Sequence, residues 1–506
     1  MSPAPRARAT PAVAWRLVLT VWLVYCVHFA PNVVRETYLA ITLGEHFSVR
    51  VDEYLGLHPD LFEIPGRGAY INNNPGASML GAIPYAMARP AIDFVLRLKP
   101  ELAAPKPPAR YDDPRPNRTK FMNEARARGL DIKLGLAALS MQVGLMAPLG
   151  ALSALLIFMF FRARVDGPDP ERRATWIALL YAFGTPVFFR SAFLNQNVLI
   201  AHCVLGAYLL IVGWQPRLAR EPVPARNVVG VGALLGIAVL TDYSGVPLLL
   251  AFGLWVVSEG QRQGGARAAA RAAGYLILGG LGPLALLLLY QWAAFGNPIF
   301  PAQRYMPPTE YSVRGWFGFS VPTLALLWGN LLDLRYGLFA FCPMLVAAAA
   351  SPFIPDADRG AIVSRRELAW IAAAVGALYL FSSANQFANL QWNTGVRYMV
   401  PAVPLLFIAS IPVLSRSPRA ITWPLVGATL VISFAVAMTR ESVPVALRRV
   451  FTHGPVLPIT EVLTKMASGY RELAPGRLTP IILLALTGVA LAVIWRVGAR
   501  ETRDDA

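Results

Sequence analysis

The sequence predicts an all-α, polytopic membrane protein with about twelve transmembrane helices, and three observations predict it. First, 56% of its 506 residues are apolar and only 15% are charged, with a mean hydropathy of +0.48, well above what soluble domains carry. Second, the apolar residues fall in runs of about 20, the length needed to cross the hydrocarbon core as a helix. Third, Arg residues gather in alternate gaps between these runs, as short cytoplasmic loops require. Together these exclude a water-soluble enzyme. The net charge of +17 comes from short basic clusters rather than one basic face, so it reports membrane topology and not a nucleic-acid partner. Cys26, Cys203 and Cys342 all lie inside apolar runs and have the spacing of neither a disulfide framework nor a zinc site.

The first run, 13–30, follows a basic leader with Arg6, Arg8 and Arg16 and lacks a small-x-small cleavage site before Pro31, so it is expected to be an uncleaved signal anchor. Further spans are expected at 136–161, 174–189, 195–214, 227–241, 244–258, 273–294, 337–352, 368–383, 397–414, 420–438 and 478–495, all in one integral membrane domain, 1–506. Arg162, Arg164, Arg172 and Arg173 follow the second span, Arg217, Arg220 and Arg226 the fourth, and Arg262, Arg267 and Arg271 the sixth. Arg359, Arg365 and Arg366 follow the eighth, Arg416 and Arg419 the tenth, and Arg496, Arg500 and Arg503 the twelfth. Both termini are therefore expected in the cytoplasm, with the protein in the cell's inner membrane. The stretch 227–258 is flanked by Arg on both sides, so it must cross twice, which puts Asp242 in a tight turn near the outer face.

The outer loops are unequal. The first, 31–132, is the longest, and segments 291–336 and 439–477 are also substantial; loops of this size carry function more often than not. Arg35 to His46 has apolar residues at helical spacing and is expected to lie as an amphipathic helix on the membrane surface. A second surface helix should start near Pro75 and run through Tyr85, and the Pro-rich, charged stretch 99–128 should be irregular.

Several short segments, in a shared order, resemble the GT-C superfamily of membrane glycosyltransferases. They are a carboxylate just beyond the first span, two surface helices in a long first loop, and Tyr70-x-x-x-x-Pro75-Gly76 leading into the second. Downstream are Phe295-Gly296-Asn297-Pro298 with Tyr305, Arg335-Tyr336-Gly337-Leu338-Phe339 with Pro343, and Gly395-Val396-Arg397-Tyr398 with Pro401 and Pro404. These are similar to the bacterial relatives of the protein mannosyltransferases and the lipid A aminoarabinose transferases. The resemblance implies an enzyme of the cell envelope that moves a hexosyl or pentosyl group from a polyprenyl-phosphate donor to a lipid, glycan or protein acceptor. Family members often carry paired acids beyond the first helix, whereas this chain has Arg35-Glu36, so the catalytic carboxylate lies between Glu36 and Asp52.

Transfer out of a lipid phosphate requires one carboxylate to deprotonate or orient the acceptor hydroxyl, and Arg or a divalent metal to offset charge building on the departing phosphate. No metal ligand set is specified by the sequence. Glu36, Asp52, Arg304, Arg335 and Arg397 all fall on the expected outer side, and Arg67, Tyr70, Asn74, His202, Asp242, Tyr305 and Tyr398 complete the expected donor- and substrate-binding set. Each has a plainer reading beside it. Glu36 suits a helix N-terminus, Asp52-Glu53 a solvated turn, and Arg397 a snorkelling position. Arg335 is close enough in sequence to pair with Asp333. His202 and Asn195-Gln196-Asn197 would satisfy polar neighbours between helices. The competing function is a transporter or flippase for lipid-linked sugars. No internal repeat supports it, few acids lie deep in the spans, and Asp242 is the one residue it would explain.

Overall fold

The computed structural model describes residues 11–31, 33–109, 118–165, 167–214, 222–355, 362–460 and 478–504. Among them, helices form nearly every element, and every expected span coincides with helical structure. The first is α1 (Pro11–Val27), and the first loop then contributes α2 (Arg35–His46), β1 (Leu61–Ile64), β2 (Gly68–Ile71), α3 (Gly76–Leu98) and α4 (Arg118–Ala127). Next come α5 (Asp131–Met141), a π-helical turn at Gln142–Met146 and α6 (Ala147–Arg164), which together are one span, then α7 (Pro170–Gly184), α8 (Pro186–Arg190) and α9 (Gln196–Val212). They are followed by α10 (Ala225–Thr241), α11 (Gly245–Phe295), α12 (Leu324–Leu332) and α13 (Leu338–Phe341), the last continued by a 3₁₀ run, Pro343–Phe353. The chain ends with α14 (Arg365–Ala384), α15 (Val403–Arg416), α16 (Arg419–Thr439), α17 (Val443–His453) and α18 (Leu478–Asp504). Among the described residues, six helices are long and apolar enough to cross a membrane, by length and composition, with shorter apolar helices between them.

Two expected spans, 244–258 and 273–294, are the arms of α11. Gly264 and Gly265 leave helical geometry, Gly265 at φ 66°, a value glycine adopts without steric cost. Beyond this break the arms run back along each other, so that a Cβ on Gly260 would sit 2.9 Å from the Ala268 carbonyl oxygen. The second arm crosses α10 at glycines: Gly232 on α10 faces Leu276 and Gly280, Gly236 faces Gly280 and Pro283, and Gly279 of the arm faces Val229 and Ala233. Close backbone approach through small residues replaces the hydrophobic drive that lipid does not supply. The eighth expected span is mostly 3₁₀ rather than α; Pro343 and Pro352 break the α pattern, and the steeper rise of a 3₁₀ helix lets eleven residues reach about 22 Å.

The helix ends sort to two sides. At one gather the C-terminus of α1, the N-terminus of α9, the α10–α11 turn and the start of α15, covered by the first loop. At the other, the buried Arg164 donates to the carbonyls of Val212 (3.2 Å), Gly213 (3.0 Å) and Trp214 (3.1 Å) at the end of α9 and to Ile362 (2.9 Å) ahead of α14, satisfying helix-end acceptors that have no partner of their own. Trp495 of α18 donates to Thr20 of α1 at 3.0 Å, and Arg16 lies over the Trp495 ring at 6.0 Å. The start of α1 and the end of α18 thus pack together on one side of the bundle.

The first loop departs from expectation in three places. Helix α2 does not lie on a surface: Glu36 to Thr42 are all buried, because the 51–60 segment and α3 cover it, Tyr38 donating to the Leu57 carbonyl at 3.3 Å and stacking near Tyr54 at 5.1 Å. An antiparallel hairpin, β1–β2, stands where no strand was expected, its alternation too short to register against the flanking helical pattern. The expected irregular stretch 99–128 contains α4, pinned by Lys106 to Asp131 at 2.8 Å; residues 110–117 of that stretch, and 461–477 of the expected last outer segment, lie outside the described residues.

Candidate active site

A cavity of about 830 Å³ opens where the first loop meets the bundle. Its apolar lining includes Ile132, Leu136 and Leu139 of α5 with Leu194, Phe121 and Leu390, while Glu36, Asp60, Asp131, Glu310, Arg35, Arg190, Arg397 and Arg440 supply its charge. Such a space suits a ligand that is part hydrocarbon and part anion.

Glu36 reaches this cavity because α2 begins directly after α1 and its first turn is packed under the loop. Its Oε1 receives the Asn73 amide at 2.9 Å and faces Arg35 Nε at 3.1 Å; Oε2 carries no contact among the described residues. Arg35 sits between two acids, since its other arm pairs with Asp60. Asp60 also accepts from Asn72 at 3.0 Å. Burial works to raise the Asp60 pKa, but Arg35, His58 and Arg397 outweigh it and hold the carboxyl at about 2. His58 is lowered, first by burial and then by Arg35, against the pull of Asp60 and Glu36. Its Nδ1 accepts from the Asp60 backbone N–H at 3.1 Å and its ring lies over Phe121. Asp60 thus serves as the standing counter-ion of Arg35, which leaves Glu36 the acid with a free oxygen.

Across the cavity stand two guanidiniums, the buried Arg190 and the half-buried Arg397. Arg397 donates from Nη2 to the Tyr398 hydroxyl at 2.8 Å and lies over that ring, its backbone held by Gln391 Oε1 at 3.0 Å. Arg190, at the end of α8, donates from Nη1 to the Thr394 carbonyl at 2.7 Å and faces Phe193. The Nε–H of each is buried with no hydrogen-bond partner, and neither forms an ion pair among the described residues. An unpaired donor on a buried cation is costly, so the pair is built to receive an anion.

The other expected residues stand elsewhere. Asp52 lies outside the cavity, half-exposed, accepting from the Ala69 backbone at 2.6 Å and pairing with Arg50 at 2.8 Å: it holds the hairpin. Arg67 packs against Gly296; Tyr70 donates to the Arg67 carbonyl at 3.0 Å, and both Tyr70 and Tyr305 pack on Phe295 at 5.6 and 5.1 Å, joining the first loop to the end of α11. Asn74 donates to the Val239 carbonyl at 2.8 Å, and His202 contacts Ser153 at 2.6 Å. Arg304 is spread over Phe300, and Arg335 is exposed in a two-bond pair with Asp333 at 3.0 and 2.7 Å. None of these lines the cavity. Tyr398 lies directly behind Arg397, and Asp242 is reached from Glu36 only through Asn73 and Gln196. Among the described residues no three His, Cys, Asp or Glu side chains converge as a metal site, so the charge-offsetting groups that the cavity presents are guanidiniums.

Sequence reasoning passed over Asp60, His58, Arg190 and Arg440 as site residues. For the two arginines a signal was there: each ends an expected span on the side where short loops are otherwise poor in Arg, and a guanidinium placed against that bias calls for a partner.

No family model and no curated protein matches the sequence. Among solved structures, the chain is similar to the crystal structure of ArnT from Cupriavidus metallidurans bound to undecaprenyl phosphate, at 15% identity and TM-score 0.49 over 96% of this chain and 77% of that one. The same protein in the apo state matches at 16% identity and TM-score 0.46, over 95% and 75%. The S. cerevisiae protein O-mannosyltransferase Pmt1-Pmt2 complex bound to the sugar donor matches at 13% and 0.35, over 63% and 38%. At these identities and scores no residue role passes from those proteins to this chain, and the functional argument rests on the cavity.

Proposed function

We propose that this protein is a membrane glycosyltransferase that takes a sugar from a polyprenyl-phosphate donor and passes it to a lipid, glycan or protein acceptor at the outer face of the cell's inner membrane. One observation carries the reading: the buried Arg190 and the half-buried Arg397, neither ion-paired among the described residues and each with a buried Nε–H that has no partner, share a largely apolar cavity with the buried carboxylate of Glu36. The ordered set of segments resembling the GT-C superfamily supports it, and the alternation of Arg-rich loops supports an orientation with the cavity end outside and both termini in the cytoplasm.

In this mechanism the polyprenyl chain lies along Ile132, Leu136 and Leu139 of α5 and leads to the lipid. The donor phosphate meets Arg397 and Arg190, whose forked donors grip two oxygens at once. Glu36 Oε2 accepts the proton of the acceptor hydroxyl, which attacks the anomeric carbon from the face opposite the phosphate. The C–O bond to phosphate breaks with inversion, and its electron pair leaves on polyprenyl phosphate. The arginines bind the phosphate more strongly as that charge builds, which is where they accelerate the step.

The test is transfer by purified protein from a panel of polyprenyl-phosphate sugars, reading released polyprenyl phosphate. Glu36→Gln should lower turnover by about 100- to 10,000-fold, the range of general-base catalysis. Turnover near wild type in that variant removes Glu36 as the base, and no release from any donor defeats the reading.

A further inference from the structure

A chain of four side chains runs from the cavity to the α10–α11 turn. Asn73 Nδ2 donates to Glu36 Oε1 at 2.9 Å and to Gln196 Oε1 at 2.6 Å, and Gln196 Nε2 donates to Asp242 Oδ2 at 3.1 Å. Asp242 is fixed in turn by the Ser244 backbone N–H, which donates to Oδ1 at 2.8 Å. Glu36, Asn73 and Gln196 are all buried. We infer that Asp242 sets the direction of this chain and thereby keeps Glu36 ready to accept a proton, acting as a positioning residue two amides away from the reacting atoms. The inference rests on Glu36 being the base, and it absorbs the one residue that favoured a transporter.

The argument is one of donors and acceptors. A primary amide offers an oxygen on one side and an NH₂ on the other, and its neighbours decide which way it faces. An ionised carboxylate only accepts, so Gln196 must turn its nitrogen to Asp242 and its oxygen to Asn73. Asn73 then must present its nitrogen to Glu36, and a donor facing a carboxylate favours the charged form. In Asp242→Asn the Ser244 N–H still holds Oδ1, so the new NH₂ takes the place of Oδ2. Gln196 must then reverse, Asn73 must reverse after it, and an oxygen faces Glu36. That arrangement is satisfied only when Glu36 carries a proton of its own, which is the form unable to act as base.

Other charged groups around Glu36 are Arg35 on its own helix, His58 and Asp60 from the segment over α2, and Arg397 across the cavity. None of these changes in the variant. Asp242 itself loses its charge, but losing a neighbouring negative charge favours ionised Glu36 and would move the limb downward, so an upward shift reports the chain.

The experiment is the pH–rate profile of sugar transfer by the full-length protein, with thermal unfolding in detergent as the measure of folding. Asp242→Asn should move the acid limb of kcat upward by about one pH unit, the worth of one hydrogen bond to a carboxylate, leave the donor KM unchanged and unfold near the wild-type temperature. Asp242→Glu, which keeps an acceptor-only group, should recover part of that shift. Gln196→Met cuts the chain without touching the turn and must move the limb the same way, which keeps the test alive if Asp242→Asn unfolds. An unmoved limb in Asp242→Asn and Gln196→Met, with Glu36→Gln inactive, overturns the inference and leaves the function standing. An active Glu36→Gln overturns Glu36 as the base, and with it the premise of the inference, while release from no donor overturns the function.

Discussion

At the scale of single residues, the site depends on which charges are paired and which are left waiting. Arg35, Arg190 and Arg397 each keep a buried Nε–H without a hydrogen-bond partner, but Arg35 is ion-paired with Glu36 and Asp60, while Arg190 and Arg397 form no ion pair among the described residues. Arg397→Lys should therefore raise the donor requirement although it keeps the charge, because an ammonium is a point charge and cannot grip two phosphate oxygens; Arg397→Ala should be worse and also lower turnover. Donor titrations at saturating acceptor check this, and wild-type donor dependence in both variants would move the phosphate site elsewhere. Asp60 makes a separate prediction about stability. Its carboxyl is held at about 2 against a usual value of 3.8, so the ionised form binds fewer protons folded than unfolded. That contribution, on the order of 2 kcal/mol, is present above about pH 4 and is lost as pH falls towards 2. Unfolding of Asp60→Asn and wild type in detergent should differ at pH 6 and converge near pH 2; a difference that persists in acid would show that Asp60 acts through packing.

At the scale of elements, close approach decides what side-chain pattern alone does not. The second arm of α11 meets α10 so closely that a Cβ on Gly279 would lie 2.0 Å from the Val229 carbonyl oxygen and one on Gly232 2.1 Å from that of Leu276. No rotamer relieves a clash with backbone. Gly279→Leu should push the helices apart, lower the unfolding temperature and disturb the Asp242 turn at the end of α10; Gly282→Leu, on the same arm with nothing near its Cβ position, should be tolerated. Equal behaviour of the two would mean that this crossing does not hold the bundle. The burial of α2 has the same kind of cause. Its apolar residues at helical spacing were legible, but the hairpin and α3 that cover its polar side are contributed from 15 to 60 residues further on.

At the scale of the whole molecule, the proposed orientation is open to labelling. Arg267→Cys, at the turn between the arms of α11, and Glu101→Cys, after α3, are both exposed positions on opposite sides of the bundle. The native cysteines are buried or half-buried, so background is low. In intact cells a thiol reagent that cannot cross the membrane should reach position 101 and spare position 267. The reverse result would turn the cavity to the cytoplasm and remove the case for an outward-facing transferase.

What the sequence by itself determined is the class of protein, the places where the chain turns helical and the two-sided sorting of its loops. Those depend on run length, hydropathy and Arg placement, which are local or additive along the chain. It also located Glu36 and Arg397 at the ends of spans, since a charge at such a boundary stands out against its apolar neighbours. Only the tertiary structure decided which polar residues share one space. Asp52 and Asp60 look alike in sequence, two acids of one loop, yet one holds a hairpin and the other neutralises Arg35, because β2 lies beside the first and α2 beside the second. Arg190, Arg397 and Glu36 come from three distant segments, and Asp242 speaks to Glu36 through two amides. Hydrogen bonds and ion pairs act over about 3 to 4 Å, a distance that separation along the chain does not encode; here the close approach of packed helices brings those groups within reach.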